Sequence, residues 1–180
     1  MPAPNAAAYV VNPFTAMDPE GLISKGCTLK GGWYGGLLPA NLDDSGSPLP
    51  TGSRKVNHIP PKAAWKDITN PGFYRAGKPH DEQEVRRGPA IRMDRGDHVQ
   101  LYSTGFGYET QAWHQWQREL IGQGRITEAM RMDIDDIKTR FPDKYDLHIE
   151  DMVNSLQHNK PLQRMLTDHG WSIDTAALLK

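Results

Sequence analysis

Cysteine is almost missing from this chain: Cys27 is the only one among 180 residues. No intrachain disulfide can form, and no zinc site can be built on several thiolates. A long apolar run is missing too, so no segment reads as a bilayer-spanning helix. The N-terminal stretch MPAPNAAAYVVNPF lacks the basic start and sustained apolar core of a secretory signal, so export, if it occurs, is expected by another route. Large net charge is missing as well, the formal value being −1. That balance hides an asymmetry. Residues 51–100 carry ten Lys/Arg against six Asp/Glu, or +4, which leaves −5 for the rest. A basic middle suits phosphate-bearing partners, although a solvated loop is charged in the same way.

What is abundant is glycine and proline, 17 and 14 residues, crowded into the first half. That half is expected to be loop-rich with short strands. Residues 23–52, with KGGWYGG and DDSGSPLPTGS, read as an extended lead-in. Strands are expected at 53–59 and 89–93, separated by a charged, turn-rich insert at 66–87. Beyond Tyr108 the periodicity becomes helical. Ala112, Trp113, Trp116 and Leu120 form one apolar face, and Thr127 caps the next segment, where Met130, Ile134, Ile137 and Phe141 recur at helical spacing. Pro142 ends that helix or opens its successor, which carries Tyr145, Ile149, Met152 and Leu156. A shorter helix, Leu162 to Leu166, follows Pro161. The expected fold class is α+β: a small ββα-like β unit followed by a C-terminal helical bundle, with a loop-rich N-terminal lead-in.

Two motifs carry the functional reading. NPFTAMDPEGL, with Asn12, Pro13, Asp18, Pro19, Gly21 and Leu22 at matching spacing, resembles the junction that ends the cage of Rhs-repeat proteins. The resemblance implies a C-terminal toxin released by cleavage after Leu22, supported by the Asp18 carboxylate acting as acid or nucleophile. Asp-Pro-x-Gly is also good turn chemistry by itself. The family's cleavage uses a second, upstream aspartate that this chain does not show, so a released toxin is expected rather than a self-cleaving unit. The implied partners are the upstream Rhs cage and a cognate immunity protein. The implied route is a specialised secretion system such as type VI, with action in the target-cell cytoplasm and no membrane partner. On this reading the domains are a junction at 1–22, the lead-in at 23–52 and a toxin domain at 53–180, divided into a site region (53–108) and a helical part (109–180).

The second motif is VNHIPPKAAW together with RRGPAIRMDRGDHVQLYSTGFG. It resembles HNH-like (ββα-metal) nuclease toxins, in which a His-hydrophobic-Pro motif ends the first strand and an Asp-His pair opens the metal-binding helix. The resemblance implies His58 as general base, Asn57 at a ligand position normally held by imidazole or carboxylate, and His98 as ligand to a divalent metal (Mg, Mn or Zn). Asp97 is placed to cap that helix or add a ligand. The departure at Asn57 shifts ligation toward other residues, of which His80 is a further candidate. Such a nuclease cleaves nucleic acid, expected to be DNA, without reading sequence.

The chemistry agrees with that assignment. A neutral imidazole suits water activation. The prolines after His58 confine the chain to extended geometry, and Arg86, Arg87, Arg92 and Arg95 are placed to cradle a phosphate backbone. Each residue also has a plain alternative. His58 ends a strand and bonds a nearby carbonyl, His80 sits in a charged loop, and His114 packs between tryptophans. Asp133, Asp135 and Asp136 form a solvated helix face with an Asp136–Arg140 ion pair, and Ser103 and Thr104 shape a turn or touch phosphate. Three other functions compete: a metal-independent ribonuclease using His58 and His98 as a base–acid pair, a non-enzymatic interaction or immunity-type module, and a hydrolase built on Cys27.

Overall fold

The structure is a computed structural model, and it describes residues 28, 30–38, 40–65 and 87–180. Asp18, Leu22, Cys27, His80 and Arg86, with the insert at 66–86, lie outside the described residues. Three short strands form an antiparallel sheet in the order β1-β3-β2: β1 (Gly31–Trp33), β2 (Arg54–His58) and β3 (Pro89–Asp94). Six helices follow: α1 (Arg95–His98), α2 (Tyr108–Gly122), α3 (Ile126–Arg140), α4 (Asp146–Ser155), α5 (Lys160–His169) and α6 (Thr175–Leu178). The architecture is α+β with a helical C-terminal part, as the pattern of proline brakes and helical spacing leads one to expect. β1 belongs to the segment read as lead-in, yet it pairs with β3 in register, Gly31 opposite Ile91 and Trp33 opposite Pro89. No described helix is long and apolar enough to cross a membrane.

β3 is central and its first five residues are buried. Side chains alternate across a strand, so Ile91 and Met93 face one way while Ala90 and Arg92 face the other. Ile91 and Met93 join the main core, which also takes Ile59, Trp65, Ile121, Met130, Ile134, Ile137, Ile149, Met152 and Leu162. α4 crosses β1 so closely that a Cβ on Gly31 would fall on the His148 carbonyl oxygen. Glycine there is a requirement of helix–strand contact rather than of turn geometry.

Helix ends follow ordinary capping rules where side chains allow. Asn159 accepts from the Leu162 amide at the start of α5, whose end is closed by Gly170 in the left-handed region (φ 66°). Asp174 accepts from the Ala177 amide to start α6. Pro142 lies between α3 and α4, and Tyr145, Ile149, Met152 and Leu156 are buried as their spacing predicts. Thr127 does not cap α3. Arg125 occupies the cap position without a side-chain bond to the helix amides, its guanidinium pairing with Glu128 instead, and the Thr127 hydroxyl accepts from the Asp174 amide.

The apolar face of α2 also differs from expectation. Trp116 is 62% exposed, whereas Thr110, Gln117, Leu120 and Ile121 are buried. The buried stripe runs Gln117, Leu120, Ile121 with Trp113 half-buried above it, and Ala112 and Trp116, both expected on the apolar face, are exposed. Across that interface Asp133 of α3, 2% exposed, accepts from Trp113 Nε1 at 2.9 Å and Gln117 Nε2 at 2.8 Å. Asp133 is therefore part of the packing and not of a solvated face. The Asp136–Arg140 pair does form, at 2.6 Å, and Asp135 stands 3.6 Å from Arg131.

Candidate active site

β2 delivers His58 at its final position, opposite Ala90 of β3. Its ring, half-buried, stacks on Tyr34 with centroids 4.2 Å apart and planes 10° from parallel. Tyr34 opens the 3-10 turn Tyr34–Leu37 that follows β1, and its amide donates to the Gly88 carbonyl at 2.9 Å. The far end of that turn is fastened by Arg92, whose guanidinium is fully buried and donates from Nη2 to the Leu37 carbonyl at 2.5 Å. Sequence reasoning missed Tyr34. Its only mark is an aromatic residue set among glycines, and the pairing of β1 with β3 is what carries it to the histidine.

Arg92 was expected at the phosphate backbone, and the structure corrects this. At 0% exposure it cannot touch a nucleic acid in solution, and both burial and the nearby Arg54 charge work against its own ionisation. The other described arginines do not form one cradle with it. Arg87 precedes β3, where its carbonyl accepts from Asn159 Nδ2 at 2.7 Å. Arg95, exposed, follows the opposite end of β3, and its amide donates to Ser53.

Asn57 is 5% exposed and pairs with Ile91, so alternation turns its amide away from the His58 face and toward the core side; Nδ2 finds no partner there. His98 closes the four-residue helix α1 instead of opening a longer one. Its ring is half-buried, and burial, followed by the Lys55 charge, lowers its affinity for a proton. Lys55 and His58 are three residues apart on β2 and therefore lie on opposite faces. Ala90, opposite His58, and Asp94, from which the chain enters α1, are separated by four residue rises, about 13 Å of strand. Strand register thus places His58 and the entry to α1 at opposite ends of β3, and among the described residues neither His58 nor His98 belongs to a group of three His, Cys, Asp or Glu side chains that could hold an ion.

The loop after His98 is tied down by its own backbone. Thr104 Oγ1 donates to the His98 carbonyl at 2.5 Å, and His114 Nε2 pairs with the Ser103 carbonyl at 2.9 Å. Ser103 and Thr104 therefore shape a turn.

Asp97 neither caps α1 nor stands ready as a ligand. Its carboxylate accepts from Lys144 Nζ at 2.6 Å and from the Tyr145 hydroxyl at 2.7 Å. Burial opposes its charge, but those two bonds outweigh burial and hold the carboxyl below the usual range. Lys144 also pairs with Asp94 at 2.9 Å, and the Tyr145 hydroxyl accepts from the Asp94 amide at 3.0 Å. The cluster is a brace between the end of β3 and the start of α4.

A divalent ion needs several converging anionic or imidazole donors. Among the described residues no three His, Cys, Asp or Glu side chains are grouped to provide them. Asn57, with a neutral buried amide, and His98 do not supply that set, so the described donors do not fit the metal that the sequence resemblance implies. What the site does offer is one fixed imidazole at a strand end. No protein-family model, curated protein or solved structure matches the chain.

Proposed function

We propose that this chain is the toxin region of an Rhs-type effector and that it cleaves phosphodiester bonds, with DNA as substrate and His58 as general base. The observation that carries the reading is the fixed imidazole: a half-buried histidine at the end of β2, clamped against Tyr34, in the NHIPP motif. In the proposed reaction a neutral His58 nitrogen takes a proton from water as the water oxygen attacks phosphorus. The bond from phosphorus to the leaving oxygen breaks, and that oxygen takes its proton from solvent. Rigid placement is what such a base contributes, because a mispositioned group forfeits much of its rate advantage. The NPFTAMDPEGL junction supports delivery by an Rhs cage through a secretion system, and a toxin of this kind requires an immunity protein in the cell that makes it.

A second reading keeps His58 and the toxin role but takes RNA as substrate. His58 takes the proton of the RNA 2′-hydroxyl as its oxygen attacks the adjacent phosphorus, the bond to the 5′-oxygen breaks to leave a 2′,3′-cyclic phosphate, and that oxygen takes its proton from solvent. No metal-bound water is needed, which suits a site whose described donors form no metal-ligand set. One experiment separates the two. The purified chain is incubated with plasmid DNA and with total RNA, each with Mg²⁺, Mn²⁺ or Zn²⁺ and each with EDTA, beside His58→Ala. DNA cleavage that is lost in His58→Ala supports the first reading, and cleavage of RNA alone, persisting in EDTA and lost in His58→Ala, supports the second. The metal and EDTA arms show whether an ion takes part. Failure to cut either substrate in any condition refutes both.

A further inference from the structure

We infer that Tyr34 is a positioning residue for His58: its ring is the platform that fixes the plane of the imidazole, and buried Arg92 holds that platform in place. The inference rests on the proposed role of His58, but its geometry stands independently. The two rings are nearly parallel, their planes 10° apart with 4.2 Å between centroids, which is a stacking contact and not a chance proximity at a strand end. Stacking removes one rotational freedom that an imidazole at the end of a strand otherwise keeps, because its terminal torsion is broad.

The platform is itself tied at two points. The Tyr34 amide is bonded to Gly88, next to the start of β3, and the turn it opens ends at Leu37, where Arg92 donates 2.5 Å from the carbonyl. Arg92 pairs with Val56, and Val56 and His58 lie on the same face of β2. One face of the sheet therefore carries the anchor, the platform and the histidine in sequence. A guanidinium with no exposed surface is costly to retain, and its role in this arrangement is to hold the Tyr34–Leu37 turn against the sheet.

The test has a structural and a kinetic arm. In proton–carbon NMR spectra of wild type, Tyr34→Phe and Tyr34→Leu, the His58 ring protons are assigned by their loss in His58→Ala. They are expected upfield in wild type and Tyr34→Phe, from the ring current of the stacked partner, and at ordinary positions in Tyr34→Leu. In the kinetic arm Tyr34→Leu lowers kcat roughly tenfold to a hundredfold with KM little changed, and Tyr34→Phe restores it, since the π face rather than the hydroxyl makes the contact. Circular dichroism and urea midpoints confirm that the variants are folded; if Tyr34→Leu is not, Tyr34→Met replaces it in both arms. His58 shifts that do not respond to loss of the aromatic ring overturn the inference whether or not the chain is a nuclease. Normal shifts in the leucine variant with unchanged kcat overturn the positioning role alone. Full activity in His58→Ala overturns the proposed function and leaves the stacking result standing.

Discussion

Asp133→Asn offers a quantitative test of the helix packing. Asp133 is 2% exposed, and burial, opposed by the Trp113 and Gln117 hydrogen bonds and assisted by nearby Asp136, pushes its carboxyl up to about 7 from 3.8. A folded pKa above the unfolded one means that the native state binds the proton more tightly. Its contribution is therefore fully present below about pH 4 and is lost as pH rises toward 7. A shift of about three units corresponds to roughly 4 kcal/mol across that window, or about 1.4 kcal/mol per pH unit. The asparagine variant has no such titration.

Its amide turns one NH2 toward a donor. Gln117 cannot simply rotate to receive it, because Gln117 Nε2 also donates to the Ala129 carbonyl at 3.0 Å. The variant is therefore less stable than wild type near pH 4.5, by about 1–3 kcal/mol for a buried donor left without a partner. The gap should close or reverse by about pH 8. Urea unfolding followed by tryptophan fluorescence across this range measures both curves, and titrations common to the two proteins cancel in the difference. A gap independent of pH would refute the account of Asp133 as a buried, proton-holding carboxyl.

Two further substitutions test the joints of the fold. Gly31→Ala should destabilise the chain by about 1–3 kcal/mol or more, because the new methyl meets backbone atoms of His148 and Met152 that cannot move without shifting α4; a urea midpoint equal to wild type would contradict the close approach of α4 to β1. Asp97→Asn should flatten stability in acid. The native carboxyl is held below its unfolded value, so its contribution is present above about pH 4 and fades as pH falls through the lower, folded value; equal acid sensitivity in thermal melts of the two proteins would refute the brace.

Much of this molecule is written at the level of local pattern. β2 is legible from the Pro60-Pro61 brake that follows it, and β3 from the apolar residues Ala90, Ile91 and Met93 that follow Gly88-Pro89. α3 and α4 are legible because Met130, Ile134, Ile137 and then Ile149, Met152 and Leu156 repeat at helical spacing. What local pattern hides is tertiary pairing. β1 is only Gly-Gly-Trp and has no alternation to read, so its place beside β3, and with it the contact of Tyr34 and His58, is visible only in the folded chain. Arg92 reads as a surface cation because arginine usually is one, until the turn at Leu37 covers it.

Asp133, Gln117 and Trp113 satisfy one another across a helix interface. Single-helix periodicity then assigns the polar residues to solvent and Trp116 to the core, the reverse of the arrangement found. The strand-end position of His58 was foreseeable from the prolines that follow it. The place of His98 at the close of a one-turn helix, beyond the opposite end of β3, was not, because it depends on strand register and on where α1 ends.

The most direct test of the central claim compares the purified chain with His58→Ala on plasmid DNA and RNA, with the folded state of each checked by circular dichroism. The account predicts cleavage by the wild type and its loss, by at least about a hundredfold, in the folded variant. Undiminished cleavage by His58→Ala would contradict it.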